Sequence, residues 1–106
     1  MIQNNSYIYT AGYNDGKHFK PFRKAAGGLK QRTYTHAYFM ALSDTAARGM
    51  IWRAIVHHYI AVMLPDVYAS LNGDYGMSPR RNKSKFVSVC IMAYTKYLSL
   101  YSKTES

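Results

Sequence analysis

The sequence predicts a mainly α protein, a single domain of three to four helices with an irregular or β-hairpin N-terminal arm. Three observations carry that expectation. The chain has 106 residues, enough for one modest hydrophobic core and too few for two. From Thr33 onward, apolar residues recur every three or four positions. Residues 1–32 lack that period and are rich in Gly, Asn, Lys and Tyr. The expected division is therefore a basic, Tyr- and Gly-rich arm over 1–32 and a helical domain over 33–106.

In the arm, "SYIYTAGYNDGKHF" alternates Tyr7 and Tyr9 with polar or smaller neighbours ahead of an Asn-Asp-Gly turn signal. That pattern suits a short hairpin, or a mobile arm, because two strands alone are marginal in water. "KPFRKAAGGLKQR" then reads as a linker, with Pro21 and the Gly27-Gly28 pair opposing regular structure. "TYTHAYFMAL" supplies two or three helical turns with Tyr34, Ala37, Tyr38 and Ala41 on one side. Ser43 and Asp44 offer an N-cap for a second helix over about residues 44–64. One face of it carries Ala47, Ile51, Ile55, His58 and Val62, and the adjoining one Trp52, Val56, Tyr59 and Met63. A stripe that wide predicts a place at the centre of the core.

Pro65 suits the first turn of a new helix, so "PDVYASLNG" is expected as a short third helix closed by Gly73. After the loop "DYGM", Ser78 is the next N-cap and Pro79 the first residue of a last helix reaching about Tyr101. Its packing rows are Phe86, Cys90, Ala93, Tyr97, Tyr101 and Val87, Ile91, Tyr94, Leu98. The opposite row holds Lys85, Ser88, Met92, Lys96, Ser99 and Lys103.

Charge directs the functional reading. Fourteen Lys and Arg face five Asp and Glu, a formal net charge of +9. The pI near 9.8 lies in the range of nucleic-acid binders. Lys17, Lys20, Arg23, Lys24, Lys30 and Arg32 stand against Asp15 in residues 1–32, and six cations stand against Glu105 in 78–106. The segment between them is close to neutral.

"GMSPRRNKSKF" places cations in the first turns of the expected last helix, where the dipole opposes each by about 0.3–1 kcal/mol. The unpaired N–H groups, the dipole and the arginine forks together suit a phosphate. Arg80, Arg81, Lys83 and Lys85 are the candidate phosphate contacts. Lys96 and Lys103 extend the track, and Lys17, Lys20, Arg23 and Lys24 close around it from the arm. Tyr7, Tyr9, Tyr13 and Phe19, interleaved with the N-terminal cations, are candidates for stacking on unpaired bases. The plainer readings are a soluble basic protein, a well-packed helix that tolerates its cations, and tyrosines such as Tyr38, Tyr59, Tyr94 and Tyr97 that merely pack. A helix-turn-helix reader fits loosely, since "LNGDYGMS" is longer than that motif's turn.

Catalytic chemistry finds little support. In "GYNDGKH", Gly12 and Gly16 are one residue too close for a phosphate-binding loop, and His18 replaces the hydroxyl that would hold magnesium. His57 and His58 project about 100° apart on a helix and do not grip one metal. The expectation is that His58 is partly buried and His57 lies on a polar strip. No carboxylates are paired for acid/base work. No cofactor or metal is implied.

Cys90 is the only cysteine, so no internal disulfide forms, and its apolar neighbours predict a buried thiol. The run Met50 to Leu64 is interrupted by Arg53, His57 and His58 and is too short to span a bilayer. With no signal-peptide pattern at the start, a cytoplasmic protein is expected. The function expected is that of a small basic, non-enzymatic, nucleic-acid-binding accessory protein. The alternative is a protein-binding inhibitor or modulator of a larger nucleic-acid-processing enzyme, docking on an acidic surface. A homodimer is also expected, because so aromatic a chain has apolar surface to spare.

Overall fold

The computed structural model describes residues 3–23, 28–69, 71 and 85–92. It is mainly helical, with no strand among the described residues. Helix α1 spans Gln3–Lys17, α2 Gly28–Ala46, α3 Met50–Met63 and α4 Pro65–Ala69, and residues 85–92 are helical.

The expected hairpin is replaced by α1. Its sequence, "QNNSYIYTAGYNDGK", has weak intrinsic helix propensity, so the helix owes its existence to what it packs against. Gly12 and Gly16 lie one turn apart and face α2. A Cβ on Gly12 would stand 2.6 Å from the carbonyl oxygen of Tyr34 and 3.2 Å from the Cβ of Ala37. One on Gly16 would overlap the carbonyl oxygen of Tyr38 and stand 3.1 Å from the Cβ of Ala41. Two glycines thus let the backbones touch, and the Asn-Asp-Gly signal falls inside the last helical turn.

Gly12 against Tyr34 and Gly16 against Tyr38 also means that α1 and α2 run in the same direction. The chain must therefore double back between them. Phe19 makes that reversal at φ 55°, a left-handed value costly for a residue with a Cβ. The amides of Phe19 and Lys20 bond the carbonyls of Gly16 (3.2 Å) and Asp15 (2.8 Å), which closes α1 with a Schellman pair. Residues 20–23 then form a strap along α2, held by Phe22, whose ring meets Tyr34 and Tyr38 edge-on at 5.2 and 5.0 Å.

α2 starts at Gly28, inside the expected linker, and passes straight through Ser43-Asp44, so the N-cap expected there does not exist. Ending the helix at Leu42 would forgo the burial of Thr45 and Ala46, and Ser43 lies buried with its hydroxyl unpartnered. The break comes at Gly49, whose φ 157°, ψ 175° is a region used almost only by glycine. Ten of the nineteen residues of α2 are buried, which makes α2, not the following helix, the centre of the core.

Around Tyr38, Phe39 and Leu42 gather Val56 and Ile60 of α3, Val67, Leu71, Phe86, Val87 and Cys90. The wide stripe expected to bury α3 does not do so. Only Val56 and Ile60 are buried, and Ile51, Ile55 and Val62 face outward. α3 meets the core along one edge only.

Pro65 opens α4, and Val67 points inward. In 85–92, Phe86, Val87, Val89 and Cys90 are buried while Lys85, Ser88 and Met92 are exposed. Burial pushes the Cys90 thiol well above its ordinary pKa. The expected caps at Gly73, Ser78 and Pro79 lie outside the described residues.

Candidate functional site

Three expected phosphate contacts, Lys17, Lys20 and Arg23, fall at three-residue intervals along the end of α1 and the strap. Each is exposed. Lys17 occupies the last turn of α1, where the dipole favours a cation. Lys20 is anchored through its backbone. Its carbonyl oxygen receives the hydroxyls of Tyr38 at 2.6 Å and Tyr59 at 2.8 Å, which lie 2.5 Å from each other. Two protons serve three contacts, so at most two of these bonds exist at one time. Burial and the neighbouring hydroxyl raise the pKa of Tyr38 above the ordinary tyrosine value.

Arg23 is committed to a partner. Its guanidinium meets Asp15 Oδ2 through both Nε and a terminal nitrogen at 2.9 Å, with Cζ 5.7 Å above the Tyr34 ring. The same Oδ2 accepts the Tyr34 hydroxyl at 2.6 Å, and that hydroxyl accepts the Arg23 amide at 3.2 Å. Burial and the bond to Asp15 push Tyr34 up to about 12. The Arg23 side chain is still 64% exposed, against 11% for Asp15. A surface cation therefore stands over an internal carboxylate.

Asp44 is also turned to internal use. The Tyr13 hydroxyl donates to its Oδ2 at 2.8 Å, and that bond raises Tyr13 above its ordinary pKa. Two of the three described carboxylates thus hold tyrosines, and Asp66 on α4 is exposed. Lys30 and Arg32, not counted among the site residues by sequence reasoning, are exposed in the first turns of α2. The signal that would have found them is a basic helix start, the pattern weighed at residues 76–86, concealed here by the linker-like "AAGGLKQR".

Lys85 is exposed at the start of 85–92. Lys24, Arg80, Arg81, Lys83, Lys96 and Lys103 lie outside the described residues.

The expected stacking set divides. Tyr7 is 78% exposed and Tyr9 37%. Tyr9 stacks on Tyr13 with centroids 6.4 Å apart and meets His36 at 6.2 Å. Tyr13 is bound to Asp44, and Phe19 packs edge-on against Tyr59 at 5.1 Å, so both serve structure. The histidines exchange their expected roles. His57 is half-buried against Tyr68, with its pKa lowered by burial and by Arg53, while His58 is exposed. The reason is the orientation of α3, whose core edge lies on the side of Val56 and Ile60.

Among the described residues no three His, Cys, Asp or Glu side chains are placed to hold a metal, and no helix is long and apolar enough to cross a membrane. No family model, no curated protein and no solved structure matches the chain.

Proposed function

We propose that the protein binds nucleic acid without catalysis, gripping phosphates with Lys17 at the end of α1, Lys20 and Arg23 of the strap, Lys30 and Arg32 of α2, and Lys85. Arg80, Arg81, Lys83, Lys24, Lys96 and Lys103 extend the same set. The observation that carries the reading is the exposure of Lys17, Lys20, Lys30, Arg32 and Lys85 on a chain of net charge +9. Asp15 is shared between Tyr34 and Arg23, yet the Arg23 side chain stays 64% exposed beside these cations. Exposed Tyr7 and Tyr9 on α1 add aromatic faces suited to unpaired bases.

Fluorescence anisotropy with single- and double-stranded oligonucleotides over a salt series tests this. Contacts from six to eight cations give a log–log salt slope of roughly −4 to −7. Lys17→Ala with Lys20→Ala flattens that slope by about two phosphates' worth. Absence of binding at low salt would overturn the proposal in favour of docking on an acidic protein surface, which calls on the same cations.

A further inference from the structure

The outward side of α3 faces directly away from Val56 and Ile60 and consists of Ile51, Ala54, Ile55, His58 and Val62, all exposed. Ile51 is 76% exposed and Val62 58%. On a helix at 100° per residue these five positions span about one third of the circumference, and none of them is Asp, Glu, Lys or Arg. A solvent-facing helix ordinarily carries charge there. With Met50, Trp52 and Met63 beside it, this face offers on the order of 600 Å² of apolar surface. That is the top of the range for the largest patch on a monomer, and near the ~800 Å² that each partner buries in a standard interface.

We infer that this face binds a second copy of the chain, α3 against α3 in antiparallel orientation about a twofold axis. Three features select that occupant. The first is shape. Phe19 and the C-terminal half of α3 border an open groove of about 370 Å³, lined by Ile55, His58, Tyr59, Val62 and Met63. The N-terminal half presents Ile51 as a protruding side chain. Antiparallel pairing seats Ile51 of each copy beside Val62 of the partner subunit, in the groove, so protrusion and recess match twice by symmetry.

The second is charge. Exposed Arg48, its guanidinium carbon 4.9 Å over the Trp52 ring, flanks one end of the face, and exposed Asp66 flanks the other. Arg48 precedes α3 and Asp66 follows it, each nine residues from a twofold near residue 57, so antiparallel pairing brings the Arg48 end of one copy to the Asp66 end of the other. A parallel arrangement would set like charges together. The third is extent, because α3 supplies most of the ~800 Å² per partner of a standard interface and Phe19 adds to it.

Sedimentation equilibrium of the full chain, freed of nucleic acid, tests the inference without reference to oligonucleotide binding. The mass should rise with concentration from 12.1 kDa towards twice that value, and Trp52 fluorescence should shift with it. Repulsion between two +9 protomers is screened by salt, so self-association holds or strengthens as salt is added. Ile51→Lys and Val62→Lys should each weaken it at least about tenfold with the far-UV circular dichroism unchanged, both positions being exposed. Arg48→Asp and Asp66→Arg should each weaken it about threefold, and together restore it. A monomer at every concentration would overturn the inference. So would a dimer indifferent to both lysine variants, or a double charge variant weaker than either single one.

Discussion

Replacing Gly12 and Gly16 with alanine sets local propensity directly against tertiary packing. Counted along the helix alone, each substitution in α1 should stabilise by about 0.8–1 kcal/mol, since glycine is the poorer helix former. The packing has the opposite sign. The new Cβ at position 12 stands 2.6 Å from a backbone carbonyl, so α1 must retreat from α2 by about 0.8 Å to regain an ordinary contact of 3.4 Å. No rotamer relieves this, because the obstacle is backbone on both sides. The retreat stretches Tyr34–Asp15, now 2.6 Å, and Tyr13–Asp44, now 2.8 Å. Overpacking costs about 1–3 kcal/mol and a weakened hydrogen bond about 1 kcal/mol. After the propensity gain of both positions, the double variant should be about 1–3 kcal/mol less stable, and less than additive because one separation relieves both clashes. Urea unfolding followed by circular dichroism reads this as a fall in midpoint with little change in slope. Gly28→Ala is the control, with nothing within 4 Å, and should be neutral or slightly stabilising. A double variant as stable as the parent would refute the close α1–α2 contact and the fold built on it.

Two further outcomes follow from the polar network and the half-buried imidazole of His57. Asp15→Asn removes the charge shared by Arg23 and Tyr34 and should cost about 1.5–3 kcal/mol, the usual worth of a hydrogen bond to a charged group; a loss under about 0.5 kcal/mol in the same urea assay would show the network to be incidental. His57 has a native pKa below its ordinary 6.5, so the unfolded chain binds the proton more tightly. Stability is complete above pH 6.5 and declines as the pH falls towards the native value; His57→Gln should flatten melting temperature between about pH 7 and pH 5, and an unaltered profile would remove His57 as the cause.

Much of the helical character was legible because apolar periodicity is a local record of burial. Tyr34, Ala37, Tyr38 and Ala41 line one side of α2 as their spacing implies, Pro65 opens α4, and Phe86, Val87 and Cys90 turn inward while Lys85 and Ser88 do not. The basic character of the α1 end and the strap was equally plain, since Lys17, Lys20 and Arg23 are read directly. What escaped was pairing. Gly12 and Gly16 have the spacing of a helix contact, yet beside Asn and Asp they also spell a turn, and only the presence of α2 decides between the two. Periodicity also reports that α3 has an apolar stripe without reporting what covers it. Of the two adjoining faces expected to enter the core, Val56 does so and Tyr59 packs against it, while Ile51, Ile55 and Val62 are left outside.

By itself the sequence determined a mainly helical, strongly basic chain with a buried thiol at Cys90, because these depend on composition and on neighbours three or four residues apart. Tertiary structure alone decided that α1 is a helix, that α2 lies at the centre, and that Asp15 and Asp44 are spent on Tyr34 and Tyr13. Those outcomes turn on contacts between residues 19 to 31 positions apart, where backbone approach and burial outweigh local preference.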